Sequence, residues 1–207
     1  MTASAQELVL ALCETRVAEA FVEYSDMLER WTKKIDLIAP ASREEIFERH
    51  ILDSLLAMTV LSEACPWKSM TDVGSGAGLP GVVAAVIRPD AEVVLVEPRE
   101  KRCHFLREVR RALGLENLEV ACSKIEDFRP VNLGEMLISR ALGRTELLMS
   151  CANFILVKGG YLAEMVGPSW QLDSTLEEQY PWFEFGGELP YELPQSGARR
   201  VAFWQNT

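Results

Sequence analysis

One stretch of ten residues, Asp72-Val73-Gly74-Ser75-Gly76-Ala77-Gly78-Leu79-Pro80-Gly81, constrains this chain more than any other. It follows Met70-Thr71-Asp72-Val73, which reads as a short strand, and leads into a helical stretch from Pro80 to Ile87. Glycines after a strand let the backbone turn tightly into a helix and let a ligand approach it closely. Pro80 suits a first helical turn, where its missing N–H would have no partner anyway. Three alternating glycines and a fourth exceed the needs of a plain turn. The bend is therefore read as a ligand site whose amides are not already engaged by protein groups.

The flanking pattern fits that bend. Ala91 to Val96 reads as a fully buried strand, with Leu118-Glu119-Val120 and Met136-Leu137-Ile138 as further short ones. Glu100 to Leu113 reads as a helix stopped by Gly114. Strands alternating with helices imply a parallel sheet covered on both faces, so the fold class is α/β. Residues 1–68 are helical throughout: a run from Gln6 to about Trp31, then a second opened by Ser42 with Glu45 three residues on, a capping-box pattern. The expected organisation is a helical extension, 1–68, and a ligand-binding unit, 69–207, in one compact body. Near the end, residues 182–185 and 201–204 read as two strands joined by a connection holding Pro190, Pro194 and Gly197.

Composition excludes several classes. With 48% hydrophobic and 25% charged residues, the chain is neither disordered nor of low complexity. No apolar run approaches the ~20 residues that cross a bilayer, and the first seven residues lack a basic stretch, so no membrane, no leader and a cytoplasmic location are expected. Cys13, Cys65, Cys103, Cys122 and Cys151 are scattered without a Cys-x-x-Cys, which suits reduced thiols and no metal. The net charge of −10 is unevenly spread: −5 over residues 1–68, −1 over 69–150 and −4 over 151–207. Within the near-neutral middle, Arg99, Lys101, Arg102, Arg107, Arg110 and Arg111 form a basic stretch, so a nucleic-acid partner would be met on a patch.

Two ligands compete for the bend. Gly76-x-Gly78-x-x-Gly81 matches a dinucleotide fingerprint. Gly74-x-Gly76-x-Gly78, preceded by Asp72, looks like the S-adenosylmethionine loop of class I methyltransferases. The dinucleotide pattern would begin four residues beyond the strand-ending acid and leave Gly74 unexplained, so position favours the second. Glu97, at the end of the next strand, would accept hydrogen bonds from a ribose diol in either case.

The sequence further resembles one family, ribosomal RNA small-subunit methyltransferase G, also called glucose-inhibited division protein B. The blocks that carry the resemblance are Arg49-His50-Ile51-Leu52-Asp53-Ser54, the Asp72–Gly81 bend, Lys101-Arg102-x-x-Phe105-Leu106, Ser123-x-Ile125-Glu126 and Ile138-Ser139-Arg140-Ala141. What this resemblance implies is a seven-stranded Rossmann-like class I methyltransferase sheet behind an N-terminal helical extension. It also implies methylation of guanine N7 in 16S rRNA with S-adenosylmethionine as donor. Asp72, Gly74, Gly76, Gly78, Leu79, Glu97, Ile125, Glu126 and Arg140 are the expected cofactor residues. His50, Asp53 and Arg140 are candidates for the target pocket, and Lys101, Arg102, Arg107, Arg110 and Arg111 for RNA contact, by a monomer. The chain departs from the family at Asp36-Leu37-Ile38, at Val166-Gly167 and in lacking a basic residue after the last strand, each a lost donor or charge.

Guanine N7 is a bare lone pair on the major-groove edge, so its methylation needs alignment and no general base. The chain agrees: it has two histidines, and it lacks the Asn/Asp-Pro-Pro-Tyr/Phe motif that resembles amine methylation. The rival readings are a methyltransferase for another acceptor and a non-catalytic nucleotide-binding protein of the same fold.

Overall fold

The structure, a computed structural model, describes residues 4–207; Met1, Thr2 and Ala3, part of the segment read for a leader, lie outside that range. Apolar runs such as Val93-Val94-Leu95-Val96 suit strands covered on both faces, and they build the centre of a seven-stranded sheet. Its strands are β1 (Ser69–Val73), β2 (Glu92–Val96), β3 (Leu118–Ala121), β4 (Gly134–Arg140), β5 (Leu156–Val166), β6 (Phe183–Leu193) and β7 (Gly197–Asn206). The order is β3-β2-β1-β4-β5-β7-β6, with β1 to β5 parallel and β7 antiparallel between β5 and β6. From β1 the chain steps outward to β2 and β3, then returns to place β4 on the other side of β1. That reversal opens a crevice at the carboxyl ends of β1 and β4, where open α/β sheets bind ligands.

Helices α1 (Ala5–Leu12), α2 (Thr15–Thr32), α3 (Arg43–Ile46), α4 (Asp53–Ala64), α5 (Gly81–Ile87), α6 (Glu100–Ala112), α7 (Thr145–Ala152) and α8 (Thr175–Gln179) cover both faces. Side chains alternate along a strand, and β4 distributes them accordingly. Met136 and Ile138 join the core shared with α1 to α6, while Leu137 joins Leu148, Met149 and Trp204 on the opposite face. The N-terminal helices thus share one hydrophobic core with the sheet. In α6 an apolar side is buried through Cys103, Phe105, Leu106 and Val109, and the expected stop at Gly114 ends the helix at a φ of +62°. The Ser42–Glu45 box is present, each residue bonding the other's backbone amide.

Several expectations are corrected. The helical run from Gln6 to Trp31 is two helices, because Cys13 and Glu14 are extended and let α1 fold back. Both halves have the same periodicity, so the pattern hides the break. The second helical run, opened by Ser42, contains a π-helical turn, Phe47–Leu52, between α3 and α4. The connection holding Pro190 is part of β6, an edge strand, where a proline removes no ladder bond; β6 also bulges between Phe185 and Gly187. Cys103 and Cys122 are not free thiols but a disulfide, Cα to Cα 5.8 Å, because α6 folds back beside β3. Cys13, Cys65 and Cys151 remain free.

At the start of α5 the helix and β1 approach closely. A Cβ added to Gly81 would lie 2.2 Å from Leu95 Cδ2 and 2.7 Å from Asp72 Oδ2. Gly81→Ala is therefore expected to cost about 1–3 kcal/mol of stability through overpacking. Thermal unfolding checks this, and a melting curve identical to the parent's would refute the packing role.

Candidate functional site

The bend after β1 is shaped by its own amides. Gly74 and Ser75 donate to the Val96 carbonyl at 2.9 and 3.2 Å, Gly78 to the Ser75 carbonyl at 2.7 Å, and Gly76 to Glu97 Oε2 at 2.9 Å. Gly81 donates to Asp72 Oδ2 at 2.9 Å. The expectation that these amides stand free is corrected: they hold the turn together. What the bend leaves for a ligand is bare backbone at Gly74 and Gly76, both with positive φ, whose missing side chains meet nothing nearer than 3.2 Å. Gly78 differs, since a Cβ there would strike Val82 at 2.6 Å and Leu106 at 2.9 Å; its role is packing. Leu79 turns its side chain into the core and meets the bend only by its backbone.

Acceptors dominate the crevice. Glu97 is 2% exposed, and its oxygens each take one backbone amide, Gly76 on Oε2 and Arg99 on Oε1, both at 2.9 Å. A carboxylate oxygen has two lone pairs, so each keeps one for a ligand hydroxyl. Arg102 steadies this carboxylate at 3.9 Å while bonding the Asp36 carbonyl at 2.9 Å. Asp72 is fully buried, and its Oδ1 has no partner; the Ser139 hydroxyl, one step away across the β1–β4 ladder, also has none. Burial pushes the Asp72 carboxyl up to about 7, against the opposing pull of the Gly81 amide and Arg140. An orphaned acceptor at the end of β1, together with the Glu97 carboxylate and its spare lone pairs, suits a ligand carrying cationic and hydroxyl groups. An S-adenosylmethionine, with its sulfonium, ammonium and ribose diol, has that chemistry.

Arg140, at the carboxyl end of β4, is brought against the π-turn. It donates to the Arg49 carbonyl at 3.2 Å and to His50 Nδ1 at 3.3 Å, and pairs with Asp53 Oδ2 at 3.6 Å. Burial, then Arg140, then Arg49 lower the His50 pKa to about 4, so the imidazole is neutral and accepts the bond. Burial raises the Asp53 carboxyl, and Arg140 opposes it. The three target-pocket candidates are thus one cluster. Ile125 and Glu126 lie on a 3₁₀ turn after β3, Ile125 buried and Glu126 exposed.

The basic helix is only partly as expected. Lys101, Arg107, Arg110 and Arg111 are exposed, with Arg111 paired to Glu108 and Arg110 reaching the Leu115 carbonyl, while Arg102 turns inward. A groove of about 560 Å³ beside it is lined by Ile35, by the basic Lys34, Arg99, Lys101 and Arg102 and by the acidic Asp36 and Glu100. Among the described residues no group of three His, Cys, Asp or Glu could hold a metal ion, and no helix is long and apolar enough to cross a membrane.

Two residues that sequence reasoning missed support the site. Tyr24, buried on α2, donates its hydroxyl to the Ala77 carbonyl of the bend at 2.6 Å. Thr145 donates to the buried Glu164 at 2.5 Å, beside Ser139 on the β4–β5 ladder. Neither has a local sequence signal, because each partner is set by tertiary packing.

Strand order and site define a class I methyltransferase fold. Solved structures agree at the level of fold: an S-adenosylmethionine-dependent methyltransferase from Aquifex aeolicus superposes with a TM-score of 0.60 at 17% identity over 75% of this chain and 92% of that one. A coclaurine N-methyltransferase bound to N-methylheliamine and S-adenosylhomocysteine gives a TM-score of 0.56 at 13% identity, over 83% and 58%. In sequence, the rRNA small subunit methyltransferase G family matches residues 17–191. A relative of that name from Desulfotalea psychrophila is 36% identical over 91% of this chain and 87% of its own length, and one from Methylobacillus flagellatus 34% over 73% and 72%. The chain belongs to the rRNA small subunit methyltransferase G family.

Removing the Tyr24 hydroxyl would leave the Ala77 carbonyl buried and unpaired. Tyr24→Phe is expected to lose about 1–3 kcal/mol of stability, read by denaturant titration. No loss would mean that the bend does not depend on α2.

Proposed function

We propose that this chain transfers the methyl group of S-adenosylmethionine to N7 of a guanine in the 16S rRNA of the small ribosomal subunit. The observation that carries the reading is the set of acceptors at the β1/β4 crevice: Glu97 with a spare lone pair on each oxygen, and Asp72 with one oxygen unpartnered. Bound there, the cofactor supplies a methyl carbon already activated by a cationic sulfur. Glu97 holds the ribose hydroxyls, Ile125 and Glu126 border the adenine, and Gly74 and Gly76 give it room along the bend. Asp72 and Arg140 attend the charged methionine end.

The guanine reading is supported by membership of the rRNA small subunit methyltransferase G family, and an N7 acceptor asks for no general base. N7 has no proton to lose, and His50, the histidine nearest Arg140, stays neutral with its pKa near 4. The residues of the crevice therefore work by alignment and by keeping water away. On the RNA side, Lys101, Arg107, Arg110 and Arg111, together with Lys34 and Arg99 at the neighbouring groove, supply phosphate contacts. The chain works in this reading as a cytoplasmic monomer.

Labelled S-adenosylmethionine incubated with the protein and small-subunit particles should leave label in 16S rRNA, mapping to a single N7-methylguanosine. Label in a base amine, a sugar or protein would refute the nucleotide assignment. The Asp72 carboxyl is neutral below about pH 7 and charged above it. A cationic ligand favours the charged form, so S-adenosylmethionine should bind more tightly as pH rises from 6 to 8, by roughly tenfold at most. Calorimetry across that range reads the change, and Asp72→Asn should flatten it.

A further inference from the structure

Asp53 faces two partners at once. Its Oδ2 pairs with Arg140 at 3.6 Å, while its Oδ1 accepts from the Tyr191 hydroxyl at 2.8 Å. Tyr191 comes from β6 and is half-buried. We propose that Tyr191 is a positioning residue for methyl transfer: it holds one oxygen of Asp53 so that the other meets Arg140 and fixes the guanidinium at the carboxyl end of β4. This rests on the reading of Arg140 as a residue of the cofactor end of the crevice.

The contact is part of a built attachment. At the β6–β7 turn, the Gln195 and Ser196 amides both donate to Glu48 Oε1, at 2.7 and 2.8 Å, and Gln195 Nε2 reaches Glu44 Oε1 at 3.3 Å. Glu48 lies in the same π-turn as Arg49 and His50, and is 2% exposed. The hairpin is thereby clamped to the segment that also receives Arg140, and Tyr191 is carried to Asp53 at a set distance. π-Turns of this kind are frequent at functional sites because they reorient neighbouring side chains. A phenol donating to a carboxylate makes a charge-assisted bond. Burial raises the Tyr191 phenol well above its ordinary range, so it stays protonated and remains the donor.

Without the Tyr191 hydroxyl, Asp53 is free to rotate away and Arg140 keeps only the Arg49 carbonyl and the neutral His50 ring. The effect of Tyr191 should therefore vanish once Arg140 is gone, which a purely structural role would not produce. The test is a double-mutant cycle of Tyr191→Phe and Arg140→Ala. It is read in kcat/KM on small-subunit particles and, separately, in the dissociation constant of S-adenosylhomocysteine by calorimetry. Tyr191→Phe keeps the ring, and a thermal melt of each variant verifies folding. Expected is a loss of about tenfold in at least one readout for Tyr191→Phe alone, the scale of one charge-assisted hydrogen bond, and under about twofold on the Arg140→Ala background. Equal losses on both backgrounds, or no loss from Tyr191→Phe, would overturn the positioning role while leaving Arg140's own assignment intact. An Arg140→Ala variant with parental activity and binding would instead overturn the reading of Arg140 and the proposal with it.

Discussion

The ligand end of this sheet depends on one carboxyl group buried without a salt-bridge partner. Asp72 closes β1, and its Oδ2 receives the amide that opens α5, so strand and helix meet with no room for a side chain at Gly81. Burying an acid this way is costly unless its charge is compensated. The structure compensates half of it, leaving Oδ1 without a partner. The cost is local, and it lies where a cationic ligand would relieve it. The bend that follows then needs no free amides: its N–H groups are consumed in shape, and its surface toward the crevice is acceptor-rich.

Around that end, the walls are supplied from outside the alternating β/α unit. Tyr24 reaches the bend from α2, and the π-turn between α3 and α4 presents Arg49, His50 and Asp53 to Arg140. The C-terminal hairpin closes the same side through Tyr191 and the turn held by Glu48. The helical extension and the hairpin, joined to each other and to β4, fix the geometry that the sheet alone would leave open.

What could be read from the sequence was whatever has a short-range signal. The strand–glycine–helix passage at residues 72–81, the Ser42 capping box and the apolar side of α6 all follow from spacings of a few residues. The place of Glu97 at the end of β2 was legible from the apolar run that precedes it. The rest involves partners far apart in the chain: Tyr24 and Ala77 are 53 residues apart, and Tyr191 and Asp53 are 138. No periodicity encodes such pairs. The disulfide was missed for the same reason, since nothing in the spacing of Cys103 and Cys122 says that α6 returns alongside β3. The π-turn was hidden inside a pattern that ordinary helix explains equally well, and β5 was missed because Lys158-Gly159-Gly160 interrupts its apolar pattern.

The outermost strand has a consequence of its own. An uncovered sheet edge invites a second chain to add a strand, and natural proteins blunt such edges with charge, proline and bulges. All three occur on β6: Glu184, Glu188 and Glu192 point outward, Pro190 withholds an N–H, and the ladder is broken between Phe185 and Gly187. The hairpin that carries Tyr191 inward thus also terminates the sheet, guarding the molecule against self-templated aggregation.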